Sequence, residues 1–158
     1  MPIIYEDGDA IKAFRTRFDV LCHGCNCHNT MNSGVAKSIK SKFPHVYEAD
    51  CTTIKGDKSK LGTIIPVECS AAMFHDGKSR YIINAYTQFG YGLEKRHVSY
   101  PALRSCFEKV HNFVVENDFS ICAPMIGAGR GGGEWSHIEE IINSIFDKYN
   151  ITIFRFRM

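Results

Sequence analysis

Apolar residues recur along this chain with two different periods, and the alternation between them sets out its elements. Short runs rich in apolar and β-branched residues fall at 2–5, 18–25, 63–67, 81–87, 119–125 and 151–156, and these read as strands. Between them, apolar positions come three and four apart. Residues 9–14 make a short helix. Residues 34–43 place Val35, Ile39 and Phe43 on one face and Lys37, Lys40 and Ser41 on the other, with Pro44 as a stop. Ser99 caps a helix running to Val115, whose buried stripe is Leu103, Phe107, Val110 and Val114. Ser136 and Glu139 have capping-box spacing for a last helix that buries Ile138, Ile141, Ile142 and Ile145. Residues 69–74 are expected to pair with the 81–87 strand through the turn at Asp76-Gly77. Strands alternating with helices imply an α/β fold: three layers, α/β/α, around a mixed, mostly parallel sheet, with residues 1–158 as one domain.

Two polar loops follow strands and lead into helices, at 26–33 and 127–133. The second lies in Ile126-Gly127-Ala128-Gly129-Arg130-Gly131-Gly132-Gly133, five glycines in eight residues. With so few side chains, the backbone can approach a ligand closely and turn its N–H groups outward. At a strand-to-helix junction those groups and the helix dipole favour an anion. In open α/β sheets ligands sit beyond the carboxyl ends of the strands, and two such loops on one rim imply a diphosphate.

Composition narrows the setting. The apolar share of 44% and charged share of 23% are those of a soluble globular protein, and a formal net charge of +2 gives no broad basic footprint for nucleic acid. No apolar stretch reaches the length of a membrane span, and the first residues lack the pattern of a signal peptide. Seven cysteines, an odd number scattered through apolar segments, fit reduced thiols in the cytoplasm better than a disulfide framework.

Cys22, His23, Cys25, Cys27 and His28 invite a zinc reading, yet no second Cys/His pair at knuckle spacing follows, so the thiols read as small apolar fillers and no metal is expected. No P-loop is present, because neither glycine loop leads into Gly-Lys-Ser/Thr. Gly127-x-Gly129-x-x-Gly132 has Rossmann spacing but lies near the chain end rather than at a first βα turn.

Taken in order, these segments resemble the macrodomain family, the ADP-ribose-binding α/β/α module, over nearly the whole chain. The resemblance rests on Gly8-Asp9-Ala10, on His23-x-Cys25-Asn26-Cys27 followed by Ser33-Gly34-Val35-Ala36, and on Ile126-Gly127-Ala128-Gly129 followed by Gly131-Gly132-Gly133-Glu134-Trp135. It implies that Asp9 accepts the adenine amino group, and that Asn26 faces the distal ribose. Ser33, Gly34 and Val35 would hold the phosphates from one side, and Gly127, Ala128, Gly129, Arg130 and Gly131 from the other. Phe154 would stack near adenine. The residues themselves leave plainer readings open: Asp9 as a helix cap, Asn26 as a turn residue, Phe154 as a core aromatic. Asn32 stands where the family has glycine, and its side chain is expected to narrow the distal pocket while tolerating a positive φ.

The resemblance also sorts activities. The branch that releases ADP-ribose from glutamate uses a lysine and an aspartate; the matching positions here are Gln88 and Gly131, so that mechanism is not expected. The chain is closest to the branch resembling ADP-ribose 1″-phosphate phosphatases, where a histidine matching His23 is implicated. An imidazole titrating near neutrality would serve as general acid or base, with Glu94 and His97 as candidate helpers; the plainer readings are a satisfied buried histidine for His23 and surface charge for Glu94 and His97. The expected enzyme is thus a phosphoric monoester hydrolase that needs no cofactor, acting as a monomer away from membranes on ADP-ribose 1″-phosphate. The alternatives are a reader that only binds ADP-ribose, and a glycohydrolase acting on ADP-ribosylated protein or nucleic acid.

Overall fold

A computed structural model of the chain describes residues 1–91, 97–129 and 131–155. Among the described residues six strands and five helices follow in the order β1 Ile3–Asp7, α1 Ala10–Arg17, β2 Val20–Cys25, α2 Gly34–Lys42, α3 Pro44–Cys51, β3 Ile64–Cys69, β4 Arg80–Tyr86, α4 Tyr100–Asn117, β5 Ile121–Pro124, α5 Trp135–Phe146 and β6 Ile151–Arg155. The strands form one sheet in the order β1-β6-β5-β2-β4-β3. All pairings are parallel except that of β3 with β4, in register from Ile64 opposite Ala85 to Cys69 opposite Arg80.

Side chains alternate across the strands, so each face buries its own core. One face carries Val20, Cys22, Ile83, Ala85 and Ala123 against Leu103, Phe107 and Val110 of α4 and Ile138 and Ile142 of α5. The other carries Leu21, Cys25, Ile82, Tyr86 and Phe154 against Ile11 and Phe14 of α1, Ile39 of α2 and Val46 of α3. The three-layer, mostly parallel arrangement expected from the sequence is therefore present. Six cysteines are divided between the two cores, Cys51 is exposed, and all seven are free.

Four local expectations are corrected. Pro44 does not simply stop a helix; it opens α3 at its first position, where its missing N–H costs nothing. Residues 69–74 are not a strand and do not pair with β4 as expected: β4's antiparallel partner is β3, which ends at Cys69, and Ala71–Met73 is a 3-10 turn. Ser136 lies inside α5, whose cap is Glu134 without a side-chain cap bond, so no capping box forms. Phe146, rather than half-buried Ile145, completes the apolar face of α5. Phe156, expected in the last strand, lies outside the described residues. Among the described residues no helix is long and apolar enough to cross a membrane.

Candidate functional site

The two strand-to-helix loops and the segment after β4 line a cavity of about 620 Å³ at the carboxyl ends of β2 and β5. Of the residues singled out in the sequence, His23, Asn26, Ser33, Gly34, Val35, Gly127, Gly129 and Gly131 line it together. Ala128 belongs to the second loop without lining the cavity, and Arg130 and Glu94 lie outside the described residues. Asp9 and Phe154 do not line it either. The Asp9 carboxylate accepts from the N–H of Ile11 at 2.9 Å and of Lys12 at 3.4 Å, which makes it the N-cap of α1. Phe154 is buried edge-on against Phe18, with ring centres 6.1 Å apart.

The first loop delivers the N-terminus of α2 to the cavity. Ser33 occupies the cap position without a side-chain cap bond, and Gly34 follows at φ +60° with open space where a Cβ would stand. The first amide groups of a helix have no intrahelical acceptor, so those of Gly34 and Val35 remain available to an anion. Asn26 is spent inside the loop: its Oδ1 accepts from His28 N–H at 2.8 Å, and its Nδ2 donates to Thr30 Oγ1 at 2.7 Å. These bonds match its plainer reading as a turn residue, and the residue lines the cavity as well. The left-handed residue of this loop is Asn29, at φ +57°, and not Asn32, which keeps negative φ and lines the cavity with an exposed side chain.

The second loop folds on its own main chain. Gly133 N–H donates to Gly127 O at 2.7 Å and Gly132 N–H to Gly129 O at 3.1 Å, while the N–H groups of His97 and Val98 both reach Gly131 O. A Cβ on Gly131 would stand 2.8 Å from Gly127 O, so this glycine is required by close backbone packing. The N–H groups of Gly127, Gly129 and Gly131 donate to nothing among the described residues. His97 is half-buried and ties this loop to the strand-like bridge at Val98, instead of standing on the surface.

His23 departs from expectation. It lies opposite Asn84 of β4 and is only 1% exposed. Asn84 Nδ2 donates to Val46 O, so its Oδ1 faces the imidazole at 2.6 Å and the ring proton sits on Nε2. Nδ1 is buried without a partner. Burial pushes the His23 pKa down to about 4, against the opposing pull of the Asn84 bond, so the ring is neutral at pH 7 and does not titrate near it. Burial likewise drives the Cys25 thiol well up, away from a nucleophilic thiolate. Among the described residues no group of three His, Cys, Asp or Glu could hold a metal ion.

Sequence reasoning missed Thr30 and Tyr91 on the cavity wall, and Asn84 beneath it. Asn84 had a signal, a lone amide within an otherwise apolar strand, whereas Tyr91 had none. Gln88 and Gly131, the two positions that argued against a lysine mechanism, adjoin: the Gln88 Oε1 is 3.1 Å from where a Gly131 Cβ would be.

Comparison with known proteins places these features in a family. The Macro domain model matches residues 22–142. An uncharacterized 17.5 kDa protein of phage T4 is 38% identical over 157 residues, 97% of this chain and 96% of its own. An ADP-ribose 1″-phosphate phosphatase of Debaryomyces hansenii is 27% identical over 89% of each chain. From Thermosipho africanus, a DNA ADP-ribosyl transferase–DNA ADP-ribosyl glycohydrolase fusion protein is 27% identical over 89% of this chain and 38% of its own length. A solved structure of that organism's DarTG in complex with ADP-ribose superposes with a TM-score of 0.78 at 19% identity, covering 99% of this chain and 42% of the other.

Proposed function

The chain belongs to the macro domain family, and on that footing we propose that it binds ADP-ribose in this cavity and hydrolyses ADP-ribose 1″-phosphate to ADP-ribose and phosphate. The observation that carries the reading is the pair of unspent amide sets, at Gly34 and Val35 on one loop and at Gly127, Gly129 and Gly131 on the other, facing a single cavity. Such donors hold a diphosphate without a charged side chain. A volume of about 620 Å³ is in the range of small-molecule sites. The Debaryomyces protein's name supports the phosphatase reading.

In this reading the amides of both loops grip the diphosphate and stabilise charge in the transition state. Thr30, Asn32 and Gln88 contact the distal ribose, a role that passes to them because the Asn26 amide is engaged within its loop. His23 acts as a neutral base: its Nδ1 lone pair takes a proton from the water attacking phosphorus, the bond from phosphorus to the 1″ oxygen breaks, and the imidazolium so formed gives the proton to that departing oxygen. A bound phosphate dianion raises the basicity of an adjacent imidazole, which offsets its low pKa in the free protein. Asp9, whose two cap bonds both fall on Oδ1, and Phe154 keep their assignment to the adenine side of the ligand. Free thiols in every cysteine suit the reducing cytoplasm.

The test is phosphate release from ADP-ribose 1″-phosphate alongside calorimetry with ADP-ribose. Turnover that drops by about 10²-fold or more in His23→Ala is expected. Binding with no phosphate released converts the protein into a reader. The Thermosipho fusion protein's name favours a second reading, a glycohydrolase, for which ADP-ribose released from an ADP-ribosylated oligonucleotide is the signature.

A further inference from the structure

Beneath the first loop lies a buried polar cluster that the proposed chemistry leaves unused. Asp50 of α3 is 1% exposed, Lys60 is 7% exposed, and Tyr86 at the end of β4 is fully buried. Tyr86 Oη donates to Asp50 Oδ1 at 2.6 Å, and Lys60 Nζ lies 5.3 Å from the centre of the Tyr86 ring. Lys60 Nζ donates to Asn29 Oδ1 at 2.7 Å and to Thr53 Oγ1 at 2.9 Å. Asn29 is held further by its own Nδ2 bond to Thr53 O at 3.0 Å and by Tyr47 Oη on its carbonyl at 3.3 Å. These bonds converge on the one left-handed residue of the loop.

Withdrawing a lysine and a carboxylate from water is costly, and apolar residues generally fill such space at least as stably. Burial indeed pushes the Asp50 carboxyl above its usual range, against the opposing Tyr86 bond and Lys60 charge. Stability alone does not account for the pair, whereas its geometry does: the ammonium's hydrogen bonds to Asn29 Oδ1 and Thr53 Oγ1 end on Asn29 and on the residue bonded to it. We propose that Lys60 and Asp50, bridged by Tyr86, are positioning residues that lock Asn29 and so hold the first loop in its ligand-ready shape before the ligand arrives. The inference rests on the reading that the cavity takes ADP-ribose. A loop already ordered is spared the entropy of ordering on binding, so the lock appears as affinity.

Two variants separate affinity from folding. In the double variant Lys60→Met with Asp50→Asn, both charges leave together and no lone ion stays buried. Asn29→Gly keeps the positive φ and deletes the anchor. Calorimetry with ADP-ribose is expected to show Kd rising about tenfold in each. The melting temperature of the double variant is expected to stay level or rise. If wild type binds ADP-ribose and both variants match its Kd, the lock is refuted while the binding reading stands. A double variant whose melting temperature falls in step with its affinity also refutes it, since the pair would then be structural. Wild-type protein that fails to bind ADP-ribose overturns the underlying reading, and this inference with it.

Discussion

The first loop, residues 26–33, is held by side chains: the Asn26 amide closes it from within, and Lys60, Thr53 and Tyr47 grip Asn29 from below. The second loop, from Gly127 to Gly133, is held by main chain, through bonds among its own glycines and from His97 and Val98 onto Gly131. Both present unspent amides to one cavity, yet they reach that state by opposite means. A loop held by side chains fails when a side chain is removed. A loop held by backbone contact fails when one is added.

The largest expected effect follows from that asymmetry. In Gly131→Val the new Cβ would meet Gly127 O at 2.8 Å and Gly127 Cα at 3.0 Å, and backbone cannot swing aside as a flexible side chain can. Overpacking of this kind costs about 1–3 kcal/mol and here displaces the donors, so ADP-ribose affinity should fall by about a hundredfold. Gly129→Ala is the control for folding, because nothing lies within 4 Å of its Cβ position. Its melting temperature should match wild type. A Gly131→Val protein that binds normally would break the contrast between the loops.

The same contrast explains how much could be read from the sequence. Backbone-held structure is written in glycine, so the second loop and its glycines stood out at once. The layered fold was equally legible, because Leu103, Phe107, Val110 and Val114 repeat at helical spacing and all become buried. Side-chain-held structure is written in long-range pairs. Nothing near Asn29 in sequence announces Lys60, 31 positions away, and the lone amide of Asn84 in its apolar strand does not say that its partner is His23, 61 positions off. The neutral, buried state of His23 was hidden for that reason: an imidazole's pKa depends on what covers it. Helix α3 was lost to Pro44, which ends one helix and starts the next.

The His23 side of the cavity floor should also betray itself in acid. Its folded pKa of about 4 lies below the ordinary 6.5, so between those values the unfolded chain binds a proton that the native protein does not. Stability is therefore fully present above pH 6.5 and is lost as pH falls toward 4, by about 3 kcal/mol for the isolated group. Denaturant unfolding of wild type and His23→Gln across that window checks the sign: the wild type should lose more stability on acidification. Asp50, whose raised pKa acts in the opposite sense, is common to both proteins and cancels in the difference. Equal slopes would mean that the imidazole is not buried as a neutral base.

Smaller again is Asn26→Ala, which removes the bonds to His28 N–H and Thr30 without touching the core. With the loop's internal clasp gone, calorimetry should show ADP-ribose affinity reduced about tenfold, the worth of one or two net hydrogen bonds. If Asn26 instead contacts the distal ribose directly, affinity for AMP will be untouched while that for ADP-ribose falls. If it works by shaping the loop, both fall together.

The smallest effect is expected at Ser33, and its interest lies in which quantity moves. Ser99 spends its hydroxyl on a cap, accepting from Ala102 N–H at 3.2 Å, so Ser99→Ala should cost about 1 kcal/mol of stability. Ser33 holds the same position on α2 without such a bond, so Ser33→Ala should cost less than about 0.5 kcal/mol in denaturant unfolding. A helix that leaves its cap hydroxyl idle beside a cavity has that donor available to a phosphate oxygen. ADP-ribose affinity should therefore weaken about threefold to tenfold in Ser33→Ala, in keeping with one net hydrogen bond, while stability stays where it was. A variant that loses stability and keeps affinity would reverse the assignment, making Ser33 a cap after all and leaving the phosphate to main-chain amides alone.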